Sequence, residues 1–370
     1  MSEPYAVSLV VEPPGVAVDA PGDLPAVDVR QLARLTDDTG VMQHGVYATP
    51  DPNHGYCVDD NARALIAAVM LHEHAPGRMG ELAHERYLQF VVYAFDGPTR
   101  RFRNFMGYDR RWLEEVGSTD SQARAFWSLG VAAARHPDPE ARALSADVLG
   151  RALEDVSGFG SPRSKAFVML GLLEWMAGGV APDAAVALLE RYGNELAWLF
   201  QQHAAEGWHW FEPIAAYDNA RLCEAMVRAG ARLARAGFVE LGLGTLRWLI
   251  DVQTHERGHL SVIGNDGWLV RGGSAERYDQ QPLEAQALIE AAWAARSATG
   301  DEGWAMAAAW AYAWFHGRND AGCSLIIESN GGCGDGLTRE GVNRNQGAES
   351  TLAYVTSTLA MHAGAGGDAG

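Results

Sequence analysis

One kind of segment recurs along the chain: a polar start, an alanine, then a run in which small and apolar residues cover most of a helical circumference. The six copies are DDNARALIAAVML from Asp59, DSQARAFWSLGVAAA from Asp120, SPRSKAFVMLGLLEWM from Ser161, YDNARLCEAMVRAG from Tyr217, QQPLEAQALIEAAWAA from Gln280 and NQGAESTLAYVTSTLAM from Asn345. Aligned on Ala62, Ala123, Ala166, Ala220, Ala285 and Ala348, they lie 61, 43, 54, 65 and 63 residues apart. Each opens on a residue suited to an N-cap or on a proline, and a helix apolar all round is one buried on most sides. The pattern predicts inner helices starting near residues 60, 121, 162, 218, 282 and 346.

Between these runs lie six amphipathic segments with charged faces, at 27–37, 79–95, 139–154, 182–203, 237–252 and 302–316. They read as outer partners of the inner helices. Six inner and six outer helices in alternation predict an all-α fold, an (α/α)6 toroid of six helical hairpins. Closure is favoured over an open solenoid because the count stops at six with no polar capping repeat. The toroid is expected over 26–362 as a single domain, with 1–25 a flexible N-terminal segment and 363–370 a disordered tail. Inner-to-outer links are short, whereas most outer-to-inner links far exceed the usual median of about 4–6 residues. Long loops therefore gather on one face, where six helix N-termini point partial positive charge into a common mouth.

Composition narrows the function. The 370 residues are 48% apolar and 21% charged, enough to bury a large core. With 29 basic against 47 acidic residues, the net charge of −18 leaves no basic stripe for nucleic acid. No basic segment leads into an apolar run and no stretch approaches a membrane span, so a cytoplasmic protein without membrane association is expected. Cys57, Cys223, Cys323 and Cys333 form no CxxC pair and are expected as free thiols. HExxH, GxSxG and phosphate-loop patterns are missing, so neither metal nor cofactor is expected. Acid-base chemistry by carboxylates remains.

The mouth loops carry the candidates. The first ends HGYCVDDNAR, bringing His54, Tyr56, Asp59 and Asp60, with Asn61 and Arg63 in the first helical turn. Either aspartate alone could serve as a cap, but one cap needs only one acid. The second loop reads as a hairpin over the mouth and carries Asp109, Glu114, Glu115 and Asp120, of which Glu114 and Glu115 are expected to face solvent. The fourth, GWHWFEPIAAYDNAR, places Trp208 and Trp210 near Glu212, Tyr217 and Asp218. Indoles beside carboxylates suit sugars, whose C–H faces stack on flat rings while polar groups take the hydroxyls. The fifth adds Trp268, Arg271, Arg277, Asp279, Gln280, Gln281 and Glu284, and the sixth Asp335, Asn345, Gln346 and Glu349. Asn61, Gln122, Lys165, Asn219 and Glu284 precede the aligned alanines, and Arg63, Arg124, Arg221, Gln286 and Glu349 follow them. Left unpaired in a buried helix, each such group would cost about 1–3 kcal/mol, so the pattern points to a wet, hydroxyl-binding cavity.

Taken together, HGYCVDDNARAL, YDNARL, YDQQPLEAQ and NQGAESTLA resemble a group of bacterial proteins loosely described as glycosyltransferases or glycosyltransferase-associated. The chain is similar over roughly 40–362 to the six-hairpin glycosidase-like superfamily. The resemblance implies an (α/α)6 fold, action on a glycan and an association with a glycosyltransferase. The chain itself has no doubly wound nucleotide-sugar domain, and SPRSKAF in the third repeat has no acid, so that sector is expected to be wall.

The expected activity is a glycoside hydrolase acting on an oligosaccharide or glycan, inverting, with two carboxylates across the mouth. The catalytic candidates are Asp60 or Asp59 opposite Asp218 or Glu212, with Asp279 and Glu349 as alternates. Substrate binding is expected from His54, Tyr56, Asn61, Arg63, Arg124, Trp208, Trp210, Tyr217, Asn219, Trp268, Gln280, Gln281, Glu284, Asn345 and Gln346. A sugar epimerase or isomerase would instead use His54, His209 or His259. A phosphorylase would clamp phosphate with Arg63, Arg271 and Arg277, and a non-catalytic glycan-binding partner would bind without turnover.

Overall fold

A computed structural model describes residues 24–179 and 181–366, and the expectations for 1–23 and 367–370 lie outside them. Twelve α-helices occur among the described residues: α1 (Arg30–Leu35), α2 (Val58–His74), α3 (His84–Ala94), α4 (Thr119–Arg135), α5 (Pro139–Val156), α6 (Pro162–Ala177), α7 (Asp183–His203), α8 (Ala220–Arg232), α9 (Ala236–Val252), α10 (Pro282–Thr299), α11 (Gly303–Ala313) and α12 (Ala348–Gly366). The even-numbered helices are the six aligned runs. Each packs on the next, and α12 returns to α2, so the inner ring closes. α3, α5, α7, α9 and α11 lie outside the inner helices that precede them, and α1 lies against α12. The first helix among the described residues is thus the outer partner of the last, which completes an (α/α)6 toroid.

Burial separates the two rings as the sequence pattern requires. On α6 every residue from Arg163 to Met176 is buried, whereas α5 buries only a stripe of Ala141, Ser145, Val148, Leu149, Ala152 and Val156. Side-chain caps fix several inner starts: Ser118 accepts from the Ser121 N–H, Ser161 from Ser164, and the Cys57 thiol from Asp60. Neighbouring inner helices approach most tightly where glycines face each other. A Cβ on Gly130 of α4 would land on the Gly171 carbonyl of α6, and one on Gly171 would come 2.8 Å from Trp127 Cα.

Two-stranded ribbons in the mouth-face loops hold one sector to another. Tyr56–Cys57 pairs with Phe105–Met106, joining the first loop to the second, and Ile214–Ala215 pairs with Leu269–Val270, joining the fourth to the fifth. Gln280 bridges to Leu337, tying the fifth to the sixth. Two expected boundaries shift. α12 continues through Gly366, with Gly364 against the Trp293 ring, rather than giving way to a tail at 363. Pro25, assigned to the flexible segment, accepts a hydrogen bond from His362 at 3.0 Å. The four cysteines are free thiols. Among the described residues no helix is long and apolar enough to cross a membrane.

Candidate functional site

At the N-terminal ends of the inner helices two guanidiniums stand side by side between an aspartate and a phenol. Arg63 lies one turn into α2 and Arg124 at the matching position of α4. Arg63 Nε donates to Asp59 Oδ1 at 2.8 Å, and Arg124 Nε ion-pairs with the same oxygen at 2.8 Å. On the other side, the Tyr217 hydroxyl oxygen accepts from Arg63 Nη2 at 2.9 Å and from Arg124 Nη2 at 3.2 Å. Each Nη2 also holds a further carboxylate: Arg63 donates to Glu349 Oε2 at 3.0 Å, and Arg124 to Asp218 Oδ2 at 2.8 Å. Four residues from α2, α12 and the loop before α8 are thereby locked to Arg63 and Arg124.

The carboxylates differ in reach. Asp218 is 1% exposed, and its second oxygen lies 3.5 Å from Arg221 Nε. The Asp59 and Glu349 side chains keep 24% and 38% of their surface open. Burial works against the charge of Asp59, but Arg124 and Arg63 outweigh it and hold the carboxyl below the usual range. Burial raises Glu349, only partly offset by Arg63. Asp60, one residue on, points into the protein beside the Cys57 thiol, which donates to it at 3.1 Å. Burial, then the Asp59 and Glu349 charges, push its carboxyl up to about 7.

Around this core the structure builds a brace. Asp218 sits in left-handed backbone, φ 48°, a conformation that costs a non-glycine residue energy and persists only where neighbours enforce it. Glu284 does so by accepting the Asp218 backbone N–H, the Asn219 backbone N–H at 3.2 Å and the Asn219 side-chain amide at 3.3 Å. Burial and the Asp218 charge push Glu284 up to about 8, against the pull of those N–H groups. Arg163, from the third sector, donates to Glu212, to the Tyr217 carbonyl and to Asn219. The sector expected to be wall thus supplies a cation that fixes the fourth loop. Its only sequence signal is a basic residue in the first turn of an inner helix.

Several expected sugar contacts turn inward instead. Trp208 and Trp210 are buried; Trp210 stacks on Trp248 at 5.5 Å, and Trp208 donates to the Glu212 carbonyl. They pack the fourth loop onto α9 and offer no face to a ligand. Tyr56 is buried and donates to Asp37 at 2.5 Å. Asn61 is buried and bonds the Val41 backbone at both ends, and Gln346 accepts from Asn330 at 2.8 Å. Gln280 is buried against Trp314 and Asp320, and Asn345 accepts from the Tyr47 N–H. His54 and Asp279 are exposed, and Gln281 is half-buried at the start of α10. Trp268 remains open, 37% exposed in left-handed backbone at φ 61°. Glu114, expected in solvent, accepts the Asn104 and Phe105 N–H groups and pins the second loop. Arg271 donates to the His203 carbonyl and Arg277 to Ser261, so the phosphate clamp with Arg63 does not assemble.

One grouping escaped the sequence. His255 and His259, at the ends of a tight turn, lie with Asp320 so that one ligand atom from each falls within 4.8 Å of the others. The two rings stack nearly parallel, 4.4 Å apart at 13°, and both Nε2 atoms lie near Asp320 Oδ1, that of His259 at 3.1 Å and that of His255 at 3.8 Å. The Arg257 N–H donates to His255 Nδ1 at 3.0 Å, which leaves the ring proton on Nε2, facing Asp320. Ser261 and Gln280 fill the other Asp320 oxygen. These donors fit a hydrogen-bonded clasp between the loops after α9 and α11 better than a metal centre.

A cavity of about 940 Å³ opens at the opposite end of the ring, lined by residues such as Trp127, Glu174, Glu224, Arg228 and Trp293. Its charges are matched to each other: Arg228 pairs with Glu174 at 2.6 Å and with Glu224 at 3.1 Å. There too one carboxyl, Glu174, is lowered and the other, Glu224, raised; the mouth differs in that Asp59 and Glu349 are more open to solvent and lie beneath the long loops.

No protein-family profile matches the chain, and no curated protein matches it. Solved structures do. A sugar epimerase from a ruminal bacterium superposes with a TM-score of 0.72 over 93% of this chain and 97% of its own, at 13% identity. The cellobiose 2-epimerase of Spirochaeta thermophila gives 0.66 over 90% and 92%, at 13% identity. A GH76 α-mannanase of Bacteroides thetaiotaomicron gives 0.58 over 83% and 86%, at 10% identity. The chain shares its toroidal fold with these proteins. None of the three carries the glycosyltransferase description that the sequence resemblance brought with it.

Proposed function

We propose that the protein is a glycoside hydrolase acting on an oligosaccharide at the mouth of the toroid, with Asp59 and Glu349 as its working carboxylates. The observation that carries this reading is that these two acids share Arg63, stay open to solvent and are pushed in opposite directions from the usual carboxylate range. Divergent basicity is what acid-base hydrolysis needs. Glu349, the more readily protonated, gives its proton to the leaving oxygen, while ionised Asp59 activates a water, and the scheme inverts the anomeric centre. Asp60 and Asp218, the pair expected from the ring positions, support from behind: Asp218 is closed in by Arg124 and Arg221, and Asp60 faces Cys57.

A second reading, a sugar epimerase or isomerase, draws on the fold likeness to two epimerases over nine-tenths of the chain. It calls for a proton-transfer pair of another kind. His54 and His209 are exposed and His259 is held in the Asp320 clasp, and none bonds to the Arg63 cluster. A panel of cello-, manno- and malto-oligosaccharides, followed by NMR, separates the readings. Shortened products with the new reducing end inverted support hydrolysis; isomers of unchanged mass support the second reading; binding without turnover would make the chain a glycan-holding partner of a glycosyltransferase.

A further inference from the structure

In Tyr217 the accepting capacity of the hydroxyl is filled while its donating capacity is open. Guanidiniums only donate, so the contacts from Arg63 Nη2 at 2.9 Å and Arg124 Nη2 at 3.2 Å occupy both lone pairs of the phenol oxygen. The phenol proton must point elsewhere. Among the described residues no acceptor takes it. The carboxylates nearest to it are turned to the arginines: Glu349 and Asp59 to Arg63, Asp218 to Arg124. Tyr217 is half-buried, and the fully buried Tyr56 and Tyr192 are different. Tyr56 donates to Asp37, and Tyr192 donates to the Val156 carbonyl, both at 2.5 Å.

We propose that Tyr217 is a further catalytic residue, whose hydroxyl donates a hydrogen bond to an oxygen of the sugar held between Asp59 and Glu349. The assignment rests on the hydrolase reading above. Arg63 Nη2 touches both the Tyr217 and the Glu349 oxygens, so the donor and the acid address neighbouring atoms of one ligand. Two cationic donors on the phenol oxygen draw electron density from the O–H bond and strengthen it as a donor. Burial raises the phenol far above its usual range, which keeps the proton in place: Tyr217 donates a hydrogen bond and transfers no proton. Its contribution is therefore electrostatic, growing as charge develops on the substrate oxygen.

Two experiments test this. On whichever oligosaccharide of the panel the wild type cleaves, Tyr217→Phe should lower kcat/KM by about 10²-fold, the usual cost of one such donor. The positions of the pH-profile limbs, set by Asp59 and Glu349, should not move. A variant with wild-type kcat/KM, or one whose limbs shift because the arginines have rearranged, overturns the assignment. The second experiment needs no substrate. With ζ-13C-tyrosine incorporated, and the Tyr217 signal identified by its loss in Tyr217→Phe, the hydroxyl proton of Tyr217 should exchange with solvent faster than those of Tyr56 and Tyr192. Slow exchange would show a protein acceptor for the proton and overturn the proposal. If exchange is fast but no oligosaccharide is cleaved, the hydrolase reading fails and the assignment fails with it; fast exchange with cleavage and an unaffected Tyr217→Phe refutes the assignment alone.

Discussion

Replacing Arg124 with Met tests the electrostatic logic of the mouth most severely. Arg124 is 1% exposed, its guanidinium stands 4.0 Å over the Phe167 ring, and among the described residues it is the sole hydrogen-bonding partner of the buried Asp218 side chain. Without it Asp218, also 1% exposed, retains only Arg221 at 3.5 Å, a contact in which neither atom makes a hydrogen bond. Breaking a buried pair from one side costs about 3–5 kcal/mol, mostly from the charge left behind. Asp59 adds little, because it keeps Arg63 and reaches solvent. Met preserves most of the apolar stem, so packing loss is minor. Arg124→Met should therefore lose about 3–5 kcal/mol in urea denaturation at pH 7, followed by circular dichroism and tryptophan fluorescence together to check for a single transition. Adding Asp218→Asn removes the stranded charge, so the double variant should be less destabilised than the sum of the singles by about 1–3 kcal/mol. A loss under about 1 kcal/mol, or strict additivity, would refute the reasoning.

Asp60, pushed up to about 7 in the folded chain, holds its proton where the unfolded chain, near the ordinary value of about 3.9, has released it. Its contribution to stability therefore falls as pH rises from about 4 to 7 and is flat above, and Asp60→Asn should remove that decline from a denaturation series; an unchanged slope would show that the carboxyl titrates normally. Gly171→Ala should lose about 1–3 kcal/mol, because the added Cβ meets Trp127 Cα at 2.8 Å and overpacking outweighs the helix-propensity gain of about 1 kcal/mol; a stabilised variant would mean that α4 and α6 can part. Added zinc or nickel should leave the thermal midpoint unchanged if His255, His259 and Asp320 form a clasp, whereas a rise of several degrees that disappears in His259→Ala would show coordination.

The ring was legible because its cause is local. Alanines such as Ala62, Ala123 and Ala166 recur where inner helices must approach closely, and they marked all six starts to within two residues. The polar positions flanking them were legible too, since Arg63, Arg124 and Asn219 are too costly to bury unless they converge. The facing of individual side chains was not. Asp59 and Asp60 are adjacent in sequence, but a helix turns about 100° per residue, so one reaches Arg124 and solvent while the other reaches Cys57. Loop tryptophans read as sugar platforms because composition carries no direction; Trp210 turns inward only because Trp248 of α9 lies beneath it. Asp320 and His259 are 61 residues apart, and nothing in either segment announces the other.

The most direct test of the central claim is hydrolysis in H2 18O. Wild-type protein incubated with the oligosaccharide panel should yield shortened products carrying one heavy oxygen at the new reducing end, and Asp59→Asn and Glu349→Gln should each lower that rate by about 10²-fold or more while still binding the saccharide. Products of unchanged mass without heavy oxygen, or wild-type rates in both variants, would contradict it.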